Sequence, residues 1–372
     1  MEVSMPVKYP DYQNGIVNLA CSVLKYYGAE YRHATLPVLD RWLAKDYKNV
    51  VVMLFDGMGT DALEQHLPGE SFLRRHYITG ISSVFPPTTT AATTSIASGL
   101  TPMEHGWIGW SLYFKEIDKI VNIFPNTLKD RKEPAADYHV AEALMPYESI
   151  YDKINRTGNA GACSVSAFGT NKIASMEELF AEVKRLCGEE GRKYIYSYWE
   201  DPDISMHKYG YCDIRVTEAI RDINAGVERL CGELKDTLVI VTADHGHINL
   251  KYKLVSDYPK LFRMLERPVT IESRAAGFYI REEYKERFAE EFHRIFRDDF
   301  ILLSKREVIG QKLFGDGNMH PRFPEFIGDF LAVAVAGQGI AYNHESRQFV
   351  SNHAGLTEQE MTVPFIAVET DG

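Results

Sequence analysis

The sequence predicts an α/β fold with a mostly parallel central sheet, on three observations. Runs such as Asn49–Phe55 and Thr237–Thr242 are almost wholly apolar, as in strands covered on both faces. They end in turns that hold acidic residues and glycine. Segments of helical periodicity alternate with these runs.

Along the chain, residues 11–28 mix apolar and polar positions as an amphipathic helix does, closing at Gly28. The strand Asn49–Phe55 stops at Asp56-Gly57-Met58-Gly59, and a helix is expected from Thr60. Residues 162–166 read as a short strand and 172–186 as a helix. The aromatic run Lys193–Trp199 is strand-like and leads into residues 200–207; residues 214–234 have helical periodicity. Thr237–Thr242 is a further buried strand, ending at Ala243-Asp244-His245-Gly246-His247, and residues 358–363 lead to a last strand over 364–368. Open parallel sheets place their sites at such carboxyl ends.

Two stretches look less like core. Residues 112–145 are polar and punctuated by proline, as in a cap or a long crossing loop. Residues 255–342 combine a charged helix over 282–297 with short strands over 269–271 and 330–336, as in a small α+β lobe inserted before His353. One catalytic domain over 1–372 is expected, with no internal repeat.

The 372 residues are 45% hydrophobic, enough for a large core. A net charge of -11 argues against a nucleic-acid polymer or an anionic membrane as partner. It leaves an anionic small substrate open, because bound metal ions invert the local field. The five cysteines form no CxxC pair, which fits a reducing compartment. The first fifteen residues have no basic region leading into an apolar stretch, and no apolar run reaches transmembrane length. A cytoplasmic location without membrane insertion is expected, with the oligomeric state left open.

The candidate chemistry lies in the turns. Asp203 and His207 are four residues apart, close enough on one helical turn to share an ion or, alternatively, to be a helix cap and a surface histidine. Asp244 and His245 follow a buried strand, with His247 two residues on as a supporting donor or a substrate contact. Asp56 ends the first core strand, and His353 sits in the loop Ser351-Asn-His-Ala-Gly355. Carboxylates and imidazoles in this number suit two divalent ions. A nucleophile is expected in Phe85-Pro-Pro-Thr-Thr-Thr-Ala-Ala, where a helix starting at the threonines would set a hydroxyl beside N–H groups that favour phosphate. Spacing does not choose among Thr88, Thr89 and Thr90.

Five segments in order, FDGMG at 55–59, FPPTTTAATTSIASGLTPMEHG at 85–106, DPDISMH at 201–207, TADHGH at 242–247 and NHAGLTEQEMTVPFIAV at 352–368, resemble the alkaline phosphatase superfamily. They are most similar to its nucleotide pyrophosphatase/phosphodiesterase branch. The resemblance implies a three-layer α/β/α sandwich with a central mostly parallel sheet, small cap and insert regions, and two divalent ions, usually zinc. It makes Thr89 the nucleophile. Asp56, Thr89, Asp244 and His245 would hold one ion, and Asp203, His207 and His353 the other. It implies a metal-dependent phosphodiesterase that cleaves a small phosphate ester. Thr89 Oγ attacks phosphorus in line, a phospho-threonine forms, and water displaces it with overall retention.

The chain departs from the branch in two places. Trp110 stands five residues after His105, where the branch commonly has an asparagine that binds a phosphate oxygen. Ser111 is a substitute donor, while the indole face suits a base or a cationic head group. The alternative is that Trp107 and Trp110 pack the cap on the core. The small Ala91 and Ala92 after the nucleophile also weaken a nucleotide assignment. No arginine neighbours Thr89 as a monoester clamp, leaving Lys172, Lys208, Arg274 and Arg322 as distant candidates. A phosphomonoesterase or phosphonate hydrolase with the same centre is the main rival reading. A non-catalytic binding protein is the rival of a different class. The threonine stretch lacks the Cys-x-Pro-x-Arg pattern of a sulfatase.

Overall fold

Every side chain of Asn49–Phe55 is buried, as its unbroken apolar run requires, and this strand lies at the centre of a sheet. A computed structural model describes residues 5–370. The sheet has seven strands in the order Tyr77–Ser82, Thr362–Thr370, Thr237–Thr242, Asn49–Phe55, Lys193–Trp199, Gly161–Ser166 and Asn171–Lys172. Asn49 pairs with Lys193 on one side and Thr237 on the other, both in parallel register. Only Thr362–Thr370 runs against its neighbours. The sheet is therefore mostly parallel, and the fold is α/β as the alternation of strands and helices predicts.

Helices surround this sheet in two groups. Ile16–Tyr26, Thr89–Ser98 and Ile150–Thr157 pack together, as do Thr60–His66, Met176–Gly188 and Ile214–Glu233. The expected elements mostly recur with shifted ends. The helix expected over 172–186 begins at Met176, because Ser175 caps it by accepting from the Glu178 amide, while Asn171–Lys172 extends the sheet. The first helix is Ile16–Tyr26, shorter than 11–28, and the charged helix is Lys285–Phe296, with a 3₁₀ turn on each side.

A second seven-stranded sheet is antiparallel throughout, in the order Phe300–Ser304, Phe330–Ala334, Ala275–Phe278, Thr270–Ile271, Ser111–Phe114, Lys119–Asn122 and Thr127–Leu128. Strands from 112–145 and from 255–342 thus share one sheet, joined where Ile271 pairs with Ser111. Among the described residues no helix is long and apolar enough to cross a membrane. The five cysteines are free.

Behind the site, Arg274 and Glu360 form a fully buried ion pair, Nε to Oε1 at 2.6 Å. Arg274 Nη1 also donates to the carbonyls of Ala336 and Gln338, and Glu360 accepts from Gly355 N and Thr357 Oγ1. A buried charge needs this degree of pairing. The pair fastens the turn after His353 to the second sheet.

Candidate active site

Asp56 and Asp244 follow adjacent parallel strands, so the sheet alone sets them side by side. Gly57, at φ +73°, turns the chain back so that its amide donates to Asp244 Oδ1 at 3.1 Å. Thr89 is the first residue of the helix Thr89–Ser98. Its Oγ1 lies 3.3 Å from Asp56 Oδ2 and 3.3 Å from His245 Nε2. His245 Nε2 lies 3.2 Å from Asp56 Oδ1 and 3.5 Å from Asp244 Oδ2.

The second group surrounds Asp203, the first residue of the helix Asp203–Tyr209. Its Oδ1 is 2.5 Å from His247 Nε2, 3.3 Å from His207 Nε2 and 3.7 Å from His353 Nε2. The four-residue spacing of Asp203 and His207 is thus one helical turn. His207 Nδ1–H donates to the Ser351 carbonyl at 2.8 Å, and His353 Nδ1–H to the Pro87 carbonyl at 3.0 Å. Those bonds fix the tautomer and leave both Nε2 lone pairs facing Asp203. All seven residues of the expected ligand set therefore converge.

The donor set fits divalent cations. Asp56 Oδ1 and Asp244 Oδ2 are buried without a hydrogen-bond donor, although His245 Nε2 is close to both. Two such carboxylate oxygens beside an imidazole are costly unless a cation joins them. Two groups have ligand atoms close enough to share an ion: Asp56, Asp244 and His245, and Asp203, His245, His247 and His353. The protonation tendencies of the two groups diverge. Burial, then the charge of Asp203, raises Asp56 well above the usual carboxylate range; burial, then Asp56, does so for Asp244. For Asp203 burial acts upward too, but the ring of histidines outweighs it and holds the carboxyl low. Burial pushes His207 and His353 down and His247 down to about 4.

His247 Nε2 contacts Asp203 Oδ1 directly, close enough to orient that carboxylate or to share an ion with it. Ser111 is turned away, donating from Oγ to Asn122 Oδ1 at 2.7 Å. Trp107 is buried, its Nε1 donating to the Met145 carbonyl, whereas Trp110 is 40% exposed and sits against Phe124. Of the distant clamp candidates, Arg274 is consumed by Glu360 and Arg322 pairs with Glu116 at 2.7 Å. Lys172 is exposed, and Lys208 lies over the Tyr209 ring.

Two neighbours of the cluster have no counterpart in the sequence reading. The Tyr198 hydroxyl donates to Asp56 Oδ2. Glu272 Oε1 accepts from Thr88 Oγ1 at 2.6 Å and from the Trp110 amide at 2.8 Å. Burial pushes the Glu272 carboxyl up to about 7. Tyr198 had a faint signal, as the third of the alternating tyrosines 194, 196 and 198 of one strand face. Glu272 had none.

The sequence profile of the family "Type I phosphodiesterase / nucleotide pyrophosphatase" matches residues 50–356. No curated protein matches the chain. Among solved structures, murine ectonucleotide pyrophosphatase/phosphodiesterase 5 superposes with a TM-score of 0.65 at 17% identity, over 86% of this chain and 88% of that one. An inactive variant of that murine protein in complex with AMP gives 0.66 at 17% identity, covering 88% of each chain. Phosphonoacetate hydrolase from Sinorhizobium meliloti, in complex with phosphonoformate, gives 0.62 at 16% identity, over 85% of this chain and 89% of that one. At such identities the likeness establishes the fold alone. The profile match spans most of the sequence, from the first core strand to the turn after His353, and on that ground the chain belongs to the type I phosphodiesterase/nucleotide pyrophosphatase family.

Proposed function

We propose that the protein is a two-metal phosphodiesterase that cleaves a small phosphate ester through a phospho-threonine at Thr89. The observation that carries this reading is the placement of Thr89 Oγ1 between Asp56 and His245, at the start of a helix that no side chain caps. Asp56, Asp244 and His245 would hold one divalent ion with Thr89, and Asp203, His207 and His353 the other. Zinc suits these donors best. Bound there, the ions would lower the threonine hydroxyl pKa and neutralise charge on the phosphoryl oxygens.

The remaining work falls to the chain. The helix start presents free N–H groups to the transferring phosphoryl group. Tyr198 and the Gly57 amide hold the two carboxylates, and Asp56 Oδ2, which accepts from the Thr89 hydroxyl, is placed to take its proton while Oδ1 stays for the ion. In-line attack by Oγ forms the phospho-threonine as the ester P–O bond breaks, and the leaving oxygen takes up a proton and departs as the alcohol. Water then displaces Thr89 from phosphorus, and two inversions give retention. Five free cysteines keep a reducing, cytoplasmic setting as part of the proposal.

A phosphomonoesterase or phosphonate hydrolase is the second reading, favoured by Trp110 in place of the usual phosphate-binding asparagine. Hydrolysis of p-nitrophenyl phosphate, bis-p-nitrophenyl phosphate and thymidine monophosphate p-nitrophenyl ester separates the readings. A preference for diesters that Thr89→Ala abolishes is expected. A preference for the monoester would move the chain to the phosphatase class, and equal activity of Thr89→Ala would refute the nucleophile.

A further inference from the structure

A threonine at the position before a helix normally turns its hydroxyl back onto the helix's free N–H groups. Thr88 holds that position with extended backbone, φ -142° and ψ 147°, yet caps nothing. Its hydroxyl points the other way, to Glu272 Oε1 at 2.6 Å. The same oxygen accepts from the Trp110 amide at 2.8 Å, which ties Glu272 to the turn at the mouth of the site.

Considerable backbone strain goes into aiming this carboxylate. Ile271, the residue before it, has φ +67°, a conformation that β-branched side chains rarely adopt. The surroundings hold it there. Ile271 pairs with both Ser111 and Ala276 in the second sheet. Gly109 lies directly beneath, where a Cβ would come within 2.6 Å of Ile271 Cγ2 and 3.0 Å of its Cα. The turn closes with Glu272 N donating to the Ala275 carbonyl at 3.0 Å. Strain that is so tightly held at a site calls for a reason.

We propose that Glu272 is a positioning residue that draws the Thr88 hydroxyl away from the nucleophile helix, keeping the helix start uncapped for the phosphoryl group. Without Glu272, the Thr88 hydroxyl is free to rotate onto its own helix and compete with phosphate for the same N–H groups. The second sheet thereby acts on the phosphate subsite of the first without touching substrate. The inference rests on the phosphoryl-transfer reading.

The test uses full-length, metal-loaded protein and inorganic phosphate as a competitive inhibitor of p-nitrophenyl ester hydrolysis. Glu272→Ala is expected to weaken phosphate inhibition and lower kcat, each by about tenfold or more, the usual scale of a lost charge-assisted hydrogen bond. Its metal content is expected to stay at the wild-type value and its Tm to hold or rise, because the helix gains a cap. Glu272→Gln keeps the acceptor oxygen and is expected to behave as wild type. The decisive variant is Glu272→Ala combined with Thr88→Val, which removes the competing hydroxyl and is expected to restore phosphate inhibition. Unrestored inhibition in the double variant, or wild-type inhibition in Glu272→Ala, would overturn the proposal. Wild-type protein that neither hydrolyses the esters nor binds phosphate would overturn it together with the reading beneath it.

Discussion

The two halves of the Asp/His cluster are built from opposite chemistry. Around Thr89 the groups are mainly carboxylates, and two of their oxygens are buried without a donor. Around Asp203 they are mainly imidazoles gathered on one carboxylate. Burial drives both halves toward their neutral forms, which raises the aspartates of the first and lowers the histidines of the second. The carboxyl ends of the central strands thus gather two groups of different charge. The carboxylate half can neutralise an ion that also carries the nucleophile, while the histidine half leaves more positive charge to meet a phosphate oxygen.

Four experiments sharpen this contrast or break it. The largest expected effect belongs to Thr89, the proposed nucleophile. Thr89→Ala is expected to reduce turnover by about a thousandfold or more, with both ions retained in elemental analysis. Loss of an ion along with activity would make Thr89 a ligand first. Next come the proposed ligands. Asp244→Ala and His353→Ala are each expected to lower the metal content from two ions toward one, at different halves. If either variant kept both ions and full activity, its half of the assignment would fail.

His247 separates orienting from binding. His247→Ala is expected to weaken ion binding by about 10- to 100-fold, the usual cost of losing a partner to a metal-bound carboxylate. The loss is expected at the histidine half alone. Equal loss at both halves would mean that the two share His247.

The smallest effect is thermal and depends on pH. In chelated protein the raised pKa values of Asp56 and Asp244 contribute stability below the usual carboxylate range. That contribution is lost as pH rises through the raised values, where both must ionise in place. The lowered histidines act with the other sign. Their contribution is present above about pH 6.5 and lost as pH falls through their depressed values. Tm curves of chelated protein are therefore expected to sag on both flanks, Asp244→Asn flattening the alkaline flank and His353→Gln the acidic one. A variant that flattened the opposite flank would reverse the contrast.

How much of this could be read from the sequence follows from the range of each interaction. The strands Asn49–Phe55 and Thr237–Thr242 carry their signal locally, in unbroken apolar runs ended by Asp56 and Asp244. Parallel pairing then sets those two ends side by side. Asp203 and His207 needed only one helical turn. The pairing of Ser111 with Ile271 has no local trace, because it joins two short strands whose paired residues lie 160 positions apart. Glu272 is hidden for the same reason, since its partners Thr88 and Trp110 come from two distant segments. In the sequence it reads as one more surface carboxylate beside Ser273 and Arg274.

The last strand has a consequence for how the protein is made. Thr362–Thr370 lies between Tyr77–Ser82 and Thr237–Thr242, two strands synthesised long before it. Just ahead of it, the Gly246 amide donates to the Glu360 carbonyl, and a Cβ on Gly246 would come within 2.0 Å of the Gln359 oxygen. The Asp244–His245 turn is therefore seated by the final stretch of the chain, which also supplies His353. During synthesis Tyr77–Ser82 and Thr237–Thr242 lack their shared partner, and the Asp/His cluster lacks His353, until residues 353–370 have been made. Such open edges invite pairing with other chains. A chain cut short before residue 353 is expected to hold less metal and to be prone to aggregate.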